Sequence, residues 1–169
     1  SAYNGLVNKD EAVTAAWSQV ENNYQRRADL IPNLVATVKG YAEHEKGTLE
    51  AVVNARAAAT QVSGGDLSSE DVAAYQKAQG EVSSALNRLL MVVENYPELK
   101  ANEQYLKAMD SVNTYENQVR LSRMTYNDTV TKFNQMVRMF PDSLIAGLLH
   151  FGAKEYLKEP AGKTEMPNI

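Results

Sequence analysis

Two histidines are the first candidates for acid–base or metal chemistry in this chain of 169 residues, which contains no cysteine. The stretch HEKGT at residues 44–48 begins like the zinc-protease helix motif, in which two histidines four residues apart bind one ion. Here a threonine occupies the second histidine position. The Glu-x-x-His pattern of a di-iron bundle is also absent. Three residues before His44 stands Tyr41, and three residues before His150 stands Gly147, where the pattern requires glutamate. The sequence therefore predicts no metal site, no cofactor and no catalytic residues.

Composition excludes other classes of function. The stretch SGG at residues 63–65 lacks the lysine and the spacing of a phosphate-binding P-loop. A net charge of −4, without a run of five like charges, argues against a nucleic-acid partner. No apolar run approaches the ~18–20 residues that span a bilayer. We therefore predict a protein that is not an enzyme. An unrecognised hydrolase ranks third, behind an interaction module and a ligand-binding bundle.

The charged stretch RRADLIPNLV at residues 26–35 is the first candidate site. Asp29 suits the N-cap of a new helix, and Pro32 suits its first turn. Arg26 and Arg27 would lie in the last turn of the preceding helix, where the negative end of the helix dipole stabilises cations. The stretch thus predicts a helix–turn–helix corner. The alternative is an exposed interaction corner that consists of Arg26, Arg27, Asp29 and Asn33. In it the two guanidinium groups would together bind an anion or a carboxylate.

The second candidate site is a polar layer within the core. Glu116 and Arg123 fall on the apolar face of the last long helix, between Val112 and Tyr126, so each needs a partner from another helix. One hypothesis is a satisfied polar layer that sets the register of the helices. The other is an inner polar groove that binds a ligand.

Helices must position these residues, because apolar residues recur at spacings of three, four and seven almost everywhere. The pattern predicts an all-α fold, an antiparallel up-down four-helix bundle with long helices and a short C-terminal helical segment. The domain would span 1–157, with a tail at 158–169. The first predicted helix ends near Arg27, and the second runs from Leu30 to Val62. The third starts after Ser68, whose side chain is its N-cap, and the last covers 102–140.

The apolar stretch after Pro141 is the third candidate. Its residues are too apolar for free solvent, so it either closes one end of the bundle or lies in a membrane interface. The residues concerned are Leu144, Ile145, Leu148, Leu149 and Phe151.

Several motifs together resemble the LemA family of bacterial membrane-anchored proteins. They are YNGLV, RRADLIPNLVATVKGYAEHE, YPELKANEQYLKAMDSV, YENQVRLSRMTYND and FPDSLIAGLL, and they extend over residues 3–157. The resemblance implies a four-helix bundle and a single N-terminal apolar anchor immediately before Tyr3, with the side of the membrane left open. It implies no chemistry. An up-down bundle then brings the 144–151 segment back to the membrane and places the 26–33 corner at the far end.

We therefore predict a non-enzymatic, membrane-anchored helical bundle that acts as an interaction or scaffold module for an unidentified protein partner. The alternative is a ligand-binding or sensory bundle that uses the Glu116 and Arg123 layer. An unpaired buried charge beside a cavity would favour the ligand, whereas a dry and fully paired core would favour the scaffold.

Overall fold

The computed structural model describes residues 2–139 and 154–158, and its helices confirm the predicted all-α bundle. Three long helices and two shorter ones account for nearly all of residues 2–138. They are α1 (Ala2–Tyr41), α2 (Lys46–Ala59), α3 (Ser69–Val93), α4 (Pro97–Lys100) and α5 (Glu103–Arg138). The α3 cap is confirmed, since the Ser68 side chain accepts a hydrogen bond from the Asp71 backbone N–H at 3.2 Å.

The predicted break within residues 26–35 is wrong, because α1 continues through it as one helix of 40 residues with Pro32 inside. Asp29 caps nothing. Its carboxylate accepts a hydrogen bond from the Gln25 side chain at 2.9 Å on the exposed face. The apolar face simply continues across the proline through Ile31, Leu34 and Val38, all buried. The chain reverses instead at residues 42–45.

The longest helices, α1 and α5, pack antiparallel along their whole length. Near one end the Asn102 side chain donates to the Tyr41 hydroxyl at 2.9 Å, and near the other end Gly5 lies against Met136. At ~1.5 Å per residue, α1 is a rod of roughly 60 Å. The prediction that the last helix returns to the start of the first is confirmed. The 26–33 stretch, however, lies about two thirds of the way along the rod and not at its far end.

Two hydrophobic clusters make up the core, one on each side of a short polar level. The cluster towards the α1–α2 turn includes Ile31, Val82 and Val112, and the other includes Tyr24, Tyr75 and Val119. On each of α1, α3 and α5, one buried polar residue separates the two clusters along the helix. They are Arg27, Gln79 and Glu116.

Gly64 supplies a test of the packing around the only tryptophan of the chain. A Cβ at Gly64 would overlap the indole of Trp17, which is 4% exposed and held between the rings of Tyr75 and Tyr126. We expect Gly64→Ala to lower the free energy of unfolding by about 1–3 kcal/mol through overpacking. Chemical denaturation measures it.

The matched control is Gly80→Ala in α3, where no atom lies within 4 Å of the added Cβ. This variant should gain up to about 1 kcal/mol, because alanine favours the helix more than glycine does. Equal effects at the two positions would contradict the packing of Trp17 against Gly64.

Candidate functional site

The polar level between the two core clusters is organised by one guanidinium group. Arg27 is 1% exposed and Glu116 is 5% exposed, and their side chains form an ion pair with 2.8 Å between Nη1 and Oε1. Arg27 Nη1 also donates to the Ser83 hydroxyl at 2.7 Å. Its Nη2 donates to both the backbone and the side-chain oxygen of Gln79, at 3.0 and 3.1 Å. One side chain of α1 thereby ties α3 and α5 together.

Register explains why a charge lies here. Arg27 follows Tyr24 by three residues and precedes Ile31 by four, so the helical period directs it into the core. Its guanidinium also lies over the Tyr24 ring, 5.0 Å from the centroid. Burial of a lone charge would cost several kcal/mol, and the pairing with Glu116 offsets that cost.

Pro32 has a structural role that its local sequence did not indicate. Proline has no backbone N–H, so the carbonyl of Ala28, four residues earlier, loses its helical partner. Arg56 of α2 takes this place, and its Nε donates to the Ala28 carbonyl at 2.7 Å. The proline therefore creates the acceptor through which α2 is held against α1.

A double-mutant cycle tests this coupling. Arg56→Ala alone should lower the free energy of unfolding by about 1.5–3 kcal/mol, as expected for a hydrogen bond from a charged donor. In the background of Pro32→Ala, the restored N–H satisfies the Ala28 carbonyl, so the same arginine substitution should cost about 1 kcal/mol less. Thermal or urea unfolding of the four proteins measures the coupling, and strictly additive effects would contradict it.

A cavity of about 170 Å³ lies beside the polar level, between α1, the end of α2 and α3. Arg27 and Arg56 both line it, together with Glu21, Tyr75 and Gln79. Arg27 Nε is buried without a hydrogen-bond partner among the described residues, so the pairing of this guanidinium is incomplete. Burial raises the pKa of the Tyr75 hydroxyl well above its usual range, and the negative charge of Glu21 adds to the effect. The neutral Tyr75 hydroxyl and the two guanidinium groups can bind a small anion, whereas the Glu21 carboxylate in the same lining opposes it.

The residues of the predicted interaction corner are divided between the core and the surface. Arg27 points into the bundle, so Arg26 and Arg27 do not form a paired clamp. Arg26 is exposed and lies over the Tyr115 ring, 5.8 Å from its centroid. Asn33 lines a depression between α1 and α5. Whether Arg26, Asp29 and Asn33 contact a partner stays a prediction.

The predicted polar layer is also divided, although Glu116 and Arg123 are both buried. Glu116 belongs to the Arg27 level. Arg123 lies two turns away, and its Nη2 donates to the backbone carbonyl of Lys158 at 2.5 Å. The third candidate, Leu144 to Phe151, lies outside the described residues.

Sequence reasoning missed Gln79, Ser83 and Arg56. A signal existed for Gln79, which stands four residues after Tyr75 and three before Val82 and so shares their buried face. No comparable local signal marks Ser83 or Arg56, because the Arg27 and Ala28 groups that they bind belong to a different helix.

His44 is exposed at the α1–α2 turn. Within residues 2–139 and 154–158, no group of three histidine, aspartate or glutamate side chains is arranged to hold a metal ion. In the same part of the chain, no helix combines the length and hydropathy needed to cross a bilayer.

Comparison with known proteins relates the chain to one family over most of its length. A family model described as LemA family matches residues 16–169. Magnetosome protein MamQ 2 of Paramagnetospirillum magneticum is 28% identical over 182 aligned residues, which cover 96% of this chain and 67% of that protein. Magnetosome protein MamQ of Magnetospirillum gryphiswaldense is 25% identical with the same coverage. Protein LemA of Metamycoplasma hominis is 22% identical, covering 85% of this chain and 63% of the relative.

Proposed function

Because the chain belongs to the LemA family, we propose that it is a membrane-associated helical bundle that binds another protein and catalyses no reaction. An apolar anchor preceding Tyr3 would hold the first turns of α1 at the bilayer. Because α1 and α5 pack antiparallel, the end of α5 would then lie at the same, membrane-proximal end of the rod. The middle of the rod would extend away from the membrane, available to a partner.

The observation that carries the proposal is the outward face shared by α1 and α5. Two shallow depressions of about 450 and 460 Å³ lie along it, lined mainly by amide, hydroxyl and small side chains. Arg26 and Lys107 are the only charged residues in the linings of these two depressions, so each lining carries one positive charge. We therefore propose a partner that presents acidic and hydrogen-bonding groups.

Site-specific photo-crosslinking in the anchored, full-length protein tests the face. A crosslinker replacing Gln118, which lines one depression, should capture a discrete partner in native membranes. The same group at Lys77, exposed on α3, is the matched control and should not. Combined Arg26→Glu and Lys107→Glu substitutions should abolish capture while the folded state persists. Capture that is equal at both sites, or insensitive to charge reversal, would refute the proposal.

A second function, ligand binding, is favoured by the cavity beside Arg27. Its volume of about 170 Å³ is suited to a small anion, and Arg27 and Arg56 supply two guanidinium groups to its lining. Titration with inorganic phosphate and small carboxylates, followed by the shift in melting temperature, tests this alternative. A saturable shift that disappears in Arg56→Gln would support it, and no shift with any of these anions would exclude it.

A further inference from the structure

Residues 154–158 lie against α5 and α3 as a short segment held by its own backbone. Asn134 accepts from the Lys154 N–H at 2.7 Å and donates to the Lys154 carbonyl at 3.1 Å. Asn127 makes the same pair of bonds to Leu157, at 2.9 and 3.1 Å. Gln76 of α3 repeats the pattern at Lys158, accepting from its N–H and donating to its carbonyl. Three side-chain amides thus each bind the backbone N–H and carbonyl of one residue of the segment.

The spacing of these amides matches an extended chain. Asn127 and Asn134 are two helical turns apart, or ~10.5 Å along α5. The backbone units that they bind are three residues apart, which in extended conformation covers ~10 Å. Further bonds to the Glu155 and Lys158 carbonyls come from the Tyr126 hydroxyl and from Arg123. The groove therefore recognises a main chain, in the manner of a peptide-binding site.

Three side chains of the segment also contribute to the binding. Leu157 is buried in the core cluster that contains Trp17. The Lys154 ammonium pairs with Asp10 at 3.0 Å, and the Tyr156 hydroxyl bonds to Thr131 at 3.0 Å. A cation three residues before a leucine is thus the main sequence requirement of the groove.

We infer that the groove between α3 and α5 is a peptide-binding site, which residues 154–158 occupy in cis and which an extended segment of another protein occupies in exchange. The incoming segment would carry a cation, two variable residues and a leucine-sized apolar residue. Exchange is feasible because the cis segment buries one apolar side chain, while most of its hydrogen bonds are made by backbone atoms that any peptide offers. The link through residues 140–153 keeps the cis segment at high local concentration, so it must be released before a free peptide binds well.

Released variants of the full chain provide the test. Leu157→Asp places a charge in the apolar site and should free the groove. Lys154→Glu, which sets a like charge beside Asp10, does so without altering the core. A fluorescent peptide with the sequence of residues 152–160 should bind either variant at least ~10-fold more tightly than the wild-type chain, since the cis competitor has been removed. Fluorescence anisotropy measures the binding. Equal affinities for the wild-type chain and both variants would overturn the inference.

A charge exchange tests the specificity of the groove. Asp10 is only partly buried at the start of the groove, so Asp10→Lys should keep the fold while reversing its preference. In the Leu157→Asp background, Asp10→Lys should favour a peptide with glutamate in place of the lysine, and the original peptide should bind more weakly. Binding that ignores this exchange would overturn the inference. So would sedimentation showing that wild-type chains pair by trading residues 154–158, because a second copy would then fill the groove.

The groove is separate from the outward α1 and α5 face, so the two proposals can fail independently. Crosslinking from Gln118 reports on that face, whereas peptide exchange depends on Asn127 and Asn134. Replacing these two asparagines by alanine in the Leu157→Asp chain should abolish peptide binding and leave capture from Gln118 intact.

Discussion

Replacing Arg27 by methionine is expected to lower the free energy of unfolding by about 3–5 kcal/mol, as for other broken buried ion pairs. The substitution leaves the Glu116 carboxylate 5% exposed with its guanidinium partner gone. Ser83 and Gln79 also lose the donor that joins them to α1. Urea or thermal unfolding measures the loss.

Two matched variants separate charge burial from other causes. Arg27→Met combined with Glu116→Leu removes both charges and keeps the volume, so its stability should return to within about 1 kcal/mol of wild type or exceed it. Arg26→Met, at the exposed neighbouring position, should change stability by no more than about 0.5 kcal/mol. A small effect for Arg27→Met alone would mean that the buried pair is not formed.

Alkaline pH is expected to unfold the protein through its buried tyrosines. Burial raises the pKa of Tyr105 to about 12, with a smaller contribution from Glu94. Burial likewise raises the pKa of Tyr126 to about 12, assisted by Glu155. In the unfolded chain both hydroxyls titrate near 10.0. Between these values the unfolded state has lost a proton that the folded state keeps, so stability is full below pH ~10 and declines above it.

Each of these tyrosines should remove about 1.4 kcal/mol of stability for every pH unit between 10 and 12. Tyr75, whose pKa is raised further, acts in the same direction. Denaturant unfolding at a series of pH values measures the slope. The control is Tyr105→Phe, since its buried hydroxyl has no hydrogen-bond partner among the described residues and the ring packing is retained. This variant should show a slope lower by about 1.4 kcal/mol per unit, and an unchanged slope would contradict the assignment.

Local signals in the sequence were sufficient for the fold class and for some helix ends. Helical periodicity acts over a few turns, and it correctly placed Val112 and Tyr126 on a buried face. Ser68 was identified as a cap because a cap and the backbone N–H that donates to it lie three residues apart. The buried phase of Glu116 and Arg123 followed from the same periodicity.

The signals that failed were local preferences overridden by distant contacts. Asp29 and Pro32 are suited to starting a helix, and nothing nearby shows that Arg56 will satisfy the carbonyl that Pro32 leaves free. Arginines are usually exposed, so the pairing of Arg27 with a residue 89 positions away could not be anticipated from its neighbours. The same holds for Asn127, whose amide binds a backbone 30 residues further along.

By itself, therefore, the sequence determined that the chain forms long amphipathic helices, that they return antiparallel, and which of their faces are buried. Those properties depend on residues a few positions apart and on short connections. Only the tertiary structure decided that α1 continues past Pro32, that Arg27 organises the polar level, and that residues 154–158 occupy a backbone-reading groove. Each of these depends on hydrogen bonds between segments far apart in sequence, whose geometry exists only after the helices have packed.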